Sequence, residues 1–536
     1  MREQLELLPA YLTGHLQLTL VALLVGAAVS VPLGIWITRR KSLEPAVLGA
    51  ASLIQTIPSL ALLAIMVPTL AALGVLTERA FGFELRGIGF APAIVALTLY
   101  SVLPILRNTV TGIKGVDPAL VEAARGVGMT ARQQLLRVEL PLAMPVIVAG
   151  LRTSAVWVVG TATLSTPVGA ESLGNFIFSG LQTRNQSAVL MGCLAAGSLA
   201  LLLDGLILAV ESGIRRRRRG LAALALALLA ALYAYTAASF VAERRGSARV
   251  VAIGSKAFTE QYILSRMLAE RIAAGTGLAT RAVESLGSTV VFDALAGGDV
   301  DLYVDYSGTI WATIMKRDQL PEDRARVLEE VTGHLREEYG ISVVGSLGFE
   351  NTYALGMRAS QARELGIRSI SDLARHAAQL EIGGDYEFFQ RGEWKALQRA
   401  YGLEFGAERS MDPALMYEAV ASGGVDVISA FSTDGRIAGY EIVLLEDDLA
   451  VIPPYDAIVM ASPQLPSELP QVVRALQPLL GAIDAPAMQR MNLAVDSGQS
   501  SPSEVAREFL ARLDAARAEG GAGADPPAPD GYTPPQ

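Results

Sequence analysis

Up to about residue 245 the chain is apolar in long blocks; beyond that it alternates short apolar and polar stretches. Long apolar runs fall near 16–37, 46–74, 91–112, 146–168, 188–210 and 221–242. Each exceeds the ~18–20 residues that a helix needs to cross ~30 Å of hydrocarbon, so the pattern predicts about six membrane spans. The second run is long and carries Pro58 and Pro68, which predicts one kinked or tilted helix rather than two short ones. The first run follows the acidic Glu3 and Glu6 and lacks a small-residue cleavage site, which argues against a removable leader. In the polar half, "RVVAIGSK" reads as a strand and "FTEQYILSRMLAERIAAG" as an amphipathic helix. "GGDVDLYVDYSG" and "GGVDVISAFSTDG" share a glycine turn, a short apolar strand and a polar turn. That repetition predicts an α/β domain of two lobes with its ligand at the strand ends. The stretch from about 516 is rich in Ala, Gly and Pro and is expected to be a disordered tail.

Charge divides at the same place. Residues 1–246 carry a net +8 and residues 247–536 a net −17. Basic residues follow the first span (Arg39, Arg40, Lys41), the third (Arg107, Lys114, Arg125, Arg132, Arg137) and the fifth (Arg215 to Arg219). With alternating spans these clusters share one side, which the positive-inside tendency makes cytoplasmic. The expected location is the bacterial inner membrane, with the N-terminus and the polar half outside the cytoplasm. An acidic polar half argues against nucleic acid as a partner. The single cysteine, Cys193, excludes an intrachain disulfide and a cysteine metal cluster, and no metal site is expected. His15, His334 and His376 lack supporting motifs and no G-x-S-x-G elbow occurs, so no enzyme chemistry is expected. None of the five lysines (Lys41, Lys114, Lys256, Lys316, Lys395) follows a glycine, so the chain has no phosphate-cradling loop of the Gly-Lys-Ser/Thr kind.

The loop after the third span reads "EAARGVGMTARQQLLRVELPLAMP". Glu122, Ala123 and Ala124, then Gly128, then Val138-x-Leu140-Pro141 fit the spacing EAA-x3-G-x9-[IV]-x-LP. Small alanines let helices approach, Gly128 permits a sharp turn, and Pro141 is expected to end a helix before the next span. This half resembles the permeases of ABC importers. The resemblance implies a coupling helix docked on a separate ATPase subunit, which holds ATP-Mg, and no cofactor on this chain. One such loop with this span count implies that two copies, a homodimer, build the pore.

"GSKAFTEQYIL", "DLYVDYSGT", "NTYALGMR", "FSTDGRI" and "DDLAVIPPYDA" occur in the order seen in binding proteins for quaternary-ammonium osmoprotectants, which residues 249–512 resemble. A trimethylammonium group has no N–H to donate, and aromatic faces attract it instead. The resemblance places an aromatic cage at Tyr306, Tyr353, Phe431 and Tyr455. Phe431 stands where tyrosine is usual, and Asn351 where some relatives have an acid near the cation. Lys256 and Arg391 match positions for cationic partners of a ligand carboxylate, with Thr309 and Gln261 as further polar contacts. Two cations favour a zwitterion over choline. Tyr303, three residues before Tyr306 in an extended stretch, faces the other way and is expected to be packing.

The expected layout is a permease domain at 1–215 with its coupling loop at about 115–145, and a further span and tether at 216–246. A type II, two-lobed periplasmic-binding-protein domain follows at 247–515, and the tail at 516–536. Lobe one takes 249–350 and 457–515, and lobe two takes 354–454. The expected function is permease and substrate-binding subunit of an ATP-driven importer for glycine betaine, carnitine, choline or related compounds. "GDYEFFQRGEW" with Phe431 also resembles fused ergothioneine transporters, the alternative for the same architecture. A membrane-tethered solute sensor is the reading from another class.

Overall fold

The computed structural model describes residues 2–40, 42–81, 87–183, 185–216, 218–245, 249–317 and 324–520. Of the features expected above, Lys41, Arg217 and the tail from 521 lie outside these residues.

The membrane half is a helical bundle. Its elements are α1 (Arg2–Thr38), α2 (Glu44–Thr56), α3 (Ser59–Phe81), α4 (Phe90–Lys114), α5 (Pro118–Gly126), α6 (Ala131–Gln134), α7 (Leu140–Ala162), α8 (Gly174–Gln182), α9 (Gln186–Arg215) and α10 (Arg219–Arg245). Among the described residues five helices are long and apolar enough to cross a membrane, α4, α9 and α10 among them, or six spans if one bent pair counts as a span. The second apolar run differs from the single kinked helix expected. It breaks at Ile57-Pro58 into α2 and α3, bent 99° from each other. Proline disfavours the helical region for the residue before it, and Ile57 is extended (φ −69°, ψ 127°). Pro68, by contrast, is accommodated inside α3.

Helix α4 is the axis of the bundle, packed between α1 and α7. Small residues bring these backbones together. A Cβ on Gly26 or Gly34 of α1 would run into Ser101 or Thr109 of α4, and one on Gly150 of α7 would meet the Pro104 carbonyl at 2.8 Å. The expected coupling loop contains α5, capped by the Asp117 carboxylate on the Ala119 N–H, and Gly128 in the left-handed region at φ +80°. Glu122 and Ala123 are exposed on α5, while Ala124 is buried. Pro141 does not end a helix. It lies within a continuous helical run, directly after the π turn Leu135–Glu139 that joins α6 to α7.

The polar half forms two five-stranded sheets. The strands are β1 (Val251–Lys256), β2 (Thr280–Leu286), β3 (Leu302–Tyr306), β4 (Ser342–Glu350), β5 (Tyr353–Arg358), β6 (Glu381–Gly384), β7 (Ala407–Ser410), β8 (Val427–Phe431), β9 (Ile442–Leu444) and β10 (Asp456–Ala461). One sheet has the order β2-β1-β3-β10-β4 and the other β7-β6-β8-β5-β9. The chain passes from the first sheet to the second between β4 and β5, and returns between β9 and β10. Strand β10 therefore enters the first sheet antiparallel to β3, and β5 enters the second antiparallel to β8. The helix Pro502–Gly520 runs past the boundary expected at 516.

The polar half rests on the helical bundle. Leu286 at the end of β2 fits against Gly169, where a Cβ would lie 3.3 Å from its side chain, and Arg281 faces Glu171 at 3.7 Å. Only five residues lie between the end of α10 at Arg245 and the start of β1 at Val251.

Candidate functional site

Strand register puts the aromatic residues at one end of both sheets. Tyr306 ends β3 and pairs with Ala457, two residues after Tyr455, while Tyr353 opens β5 directly opposite Phe431 at the end of β8. The rings converge in the cleft between the lobes. The Tyr353 ring centroid lies 5.1 Å from Phe431 and 5.9 Å from Tyr455. Tyr306 is joined through Phe258, which stacks on it at 6.4 Å and lies parallel to Phe431 at 6.3 Å. Phe388 closes the far side, 5.2 Å from Tyr353. All four rings expected from the sequence are thus in one cluster, and Phe258 and Phe388 were not foreseen. Tyr303 faces away, fully buried with its hydroxyl on Asp305 at 2.7 Å.

Tyr455 is seated by a close approach. A Cβ on Gly308 would lie 2.7 Å from its ring carbons, so only glycine leaves room. Gly308→Ala is expected to displace that ring and cost about 1–3 kcal/mol, measured by thermal denaturation of the intact chain.

The polar residues divide into two groups. Arg391 lies over the Tyr353 ring at 5.2 Å and donates to the Tyr455 hydroxyl at 3.4 Å. It is also paired with Glu393 at 3.3 Å and Glu387 at 3.6 Å. Lys256 is buried and bonded to Asp305 at 2.5 Å, with its ammonium 5.8 Å from the centre of the Tyr306 ring. Gln261 is buried; its amide N–H groups reach the Val304 carbonyl at 2.9 Å and the Tyr306 hydroxyl at 3.3 Å. Thr309 is buried one short turn beyond Tyr306.

The residue that sequence reasoning missed is Glu260, in the first turn of the helix Thr259–Thr276, here α11. Its carboxylate is buried and accepts four hydrogen bonds. One oxygen takes the Tyr306 hydroxyl (2.5 Å) and the Asn351 amide (3.0 Å); the other takes the Thr433 hydroxyl (2.5 Å) and the Asn492 amide (3.1 Å). Burial raises its pKa above the ordinary 4.5, against the pull of those four donors. Burial and then the adjoining Glu260 hold the Tyr306 hydroxyl protonated, well above the phenol range. Thr433 belongs to the second lobe and Asn492 to a helix of the first, so this carboxylate bridges the cleft. The only sequence signal was its place beside Phe258 and Gln261 in "AFTEQ".

A helical membrane bundle with a coupling-type connector, joined to a two-lobed domain whose cleft gathers aromatic rings, defines a permease carrying its own solute-binding domain. Residues 30–216 match the inner-membrane component of binding-protein-dependent transport systems. Residues 249–512 match the substrate-binding domain of ABC-type glycine betaine transport systems. The ergothioneine transport permease/ergothioneine binding protein EgtU of Helicobacter pylori is 30% identical over 87% of this chain and 83% of its own length. The permease half is 44% identical to the glycine betaine/carnitine/choline permease OpuCB of Bacillus subtilis, over 38% of this chain and 86% of that one. The binding half is 34% identical to the carnitine transport binding protein OpuCC of Listeria monocytogenes, over 48% and 85%. The chain belongs to the ABC transporter family in which an inner-membrane permease and an OpuAC-type substrate-binding domain are one polypeptide.

Proposed function

We propose that this chain imports trimethylammonium zwitterions, of the glycine betaine and carnitine kind, as permease and binding subunit of an ATP-driven transporter. The observation that carries the reading is the convergence of Tyr306, Tyr353, Phe431 and Tyr455 at the interlobe cleft, with Arg391 at its edge. Each aromatic face contributes ~0.5–2 kcal/mol to a desolvated quaternary ammonium. In this reading Arg391 is the cationic partner of the ligand carboxylate, and Gln261 and Thr309 are further polar contacts for the ligand. Lys256 acts chiefly through Asp305 in this reading. Ligand bridging both lobes closes them, by no more than its difference in affinity for the closed and open forms.

The remaining parts follow the same reading. Two copies form the pore, the binding domain stands outside the cytoplasm, and a separate ATPase subunit binds and hydrolyses ATP-Mg. That subunit docks on α5, around which Leu120, Val127 and Leu136 are exposed.

Ergothioneine, a trimethylated histidine betaine, is a second reading. The fused EgtU relative, which spans both halves of this chain, favours it. Calorimetric titration of the intact chain in nanodiscs with glycine betaine, carnitine and ergothioneine decides. Tight binding of the first two supports osmoprotectant uptake, tight ergothioneine alone moves the substrate to the thione, and binding of none overturns both.

A further inference from the structure

Beside the aromatic cluster lies a small cavity of about 30 Å³, lined in part by Phe258, Glu260, Asn351, Phe431, Thr433 and Asn492. Its polar lining is rich in acceptors. The Glu260 carboxylate is there, and the side-chain oxygens of Asn351 and Asn492, on residues 6% and 3% exposed, have no hydrogen-bond partner. The amide nitrogens of both asparagines are already committed to Glu260. Buried carboxylates are ordinarily paired with a cation. Glu260 instead has four neutral donors, and among the described residues no lysine or arginine forms an ion pair with it. The cations nearby are committed elsewhere, Lys256 to Asp305 and Arg436 to Asp434.

We propose that Glu260 is the anionic group of the cation site: it supplies the countercharge for a ligand's fixed positive charge and sets the preference for cations over neutral groups of the same shape. The inference rests on the importer reading above and adds the residue that discriminates charge. Aromatic faces attract a cation but also hold a neutral tert-butyl group by contact alone; a carboxylate distinguishes the two. Tyr306 couples both elements, presenting its ring to the cluster and its hydroxyl to Glu260. Ligand binding stabilises the ionised carboxylate, so affinity is present above the Glu260 pKa and is lost as pH falls through it. The other charged groups facing this region are Asp496 and Arg436 from adjoining helices, Asp434, and the Lys256–Asp305 pair.

The test uses the intact chain in nanodiscs, wild type and Glu260→Gln, titrated with glycine betaine, ergothioneine and dimethylbutanoate, in which a quaternary carbon replaces the betaine nitrogen. Glu260→Gln is expected to weaken the trimethylammonium ligands roughly 10- to 100-fold, the scale of a partly desolvated charge pair. The carbon isostere should lose little, so the ratio between the two collapses. A structural role alone would move both ligands together. The pH profile of the wild type is a second measurement that needs no variant: affinity should fall with acidification, and the profile of Glu260→Gln should flatten. Unchanged selectivity and an unchanged pH profile in Glu260→Gln overturn the assignment while leaving the importer intact. A wild type that binds no trimethylammonium ligand overturns the underlying reading and this assignment with it.

Discussion

Tyr306→Ala is expected to weaken trimethylammonium binding by roughly 30-fold, the equivalent of about 2 kcal/mol of lost cation–π attraction. It is also expected to lower domain stability by about 3–5 kcal/mol, because the ring is 4% exposed and its removal leaves a cavity. Two contacts go with the ring: the stack on Phe258 and the hydrogen bond to Glu260. Tyr306→Phe separates them. It keeps the π face and removes one of four donors to a buried carboxylate, so stability should fall by about 1–3 kcal/mol while much of the affinity survives. Calorimetry and thermal melting on the same samples check both numbers. An alanine variant that binds as tightly as the wild type removes Tyr306 from the site.

Lys256→Met should have the second large effect. Lys256 and Asp305 are 5% and 1% exposed, and breaking a buried pair strands the remaining charge at a cost of about 3–5 kcal/mol. Asp305 would keep the Tyr303 hydroxyl and the Tyr306 N–H, which soften that cost without removing it. Adding Asp305→Asn removes the stranded charge and keeps the shape, and most of the stability should return. Ligand affinity in this double variant tells what the lysine does. Recovery together with stability makes Lys256 a strut beneath the Tyr306 ring, whereas lasting loss in a stable protein means that its ammonium meets the ligand carboxylate.

What could be read in advance depended on how local each cause was. The membrane runs are a property of consecutive residues and were legible, as was the opposed facing of Tyr303 and Tyr306 within one strand. The break at Ile57-Pro58 was visible as a proline, but proline kinks some helices and ends others. The extended backbone of Ile57 decided it. Pro141 was misjudged for a related reason: the same ring that stops one helix is carried through another, here just after a π turn. Glu260 looked like an ordinary acid in a first helical turn, a favoured place near the helix N-terminus. Its burial depends on Asn351, Thr433 and Asn492, which arrive from far along the chain. Asp305 was in plain view beside Tyr306, but its partner is 49 residues away.

The short connection between α10 and β1 sets how far the binding domain can travel. Five intervening residues, fully extended, span only about 20 Å from Arg245 to Val251. Capture of solute therefore takes place at the membrane surface, and delivery is a pivot on a leash rather than a search through solution. Uptake should rise in direct proportion to the number of transporter copies, with no second-order dependence on a pool of free carrier. An empty domain cannot drift off to make way for a loaded rival; it has to be refilled where it stands.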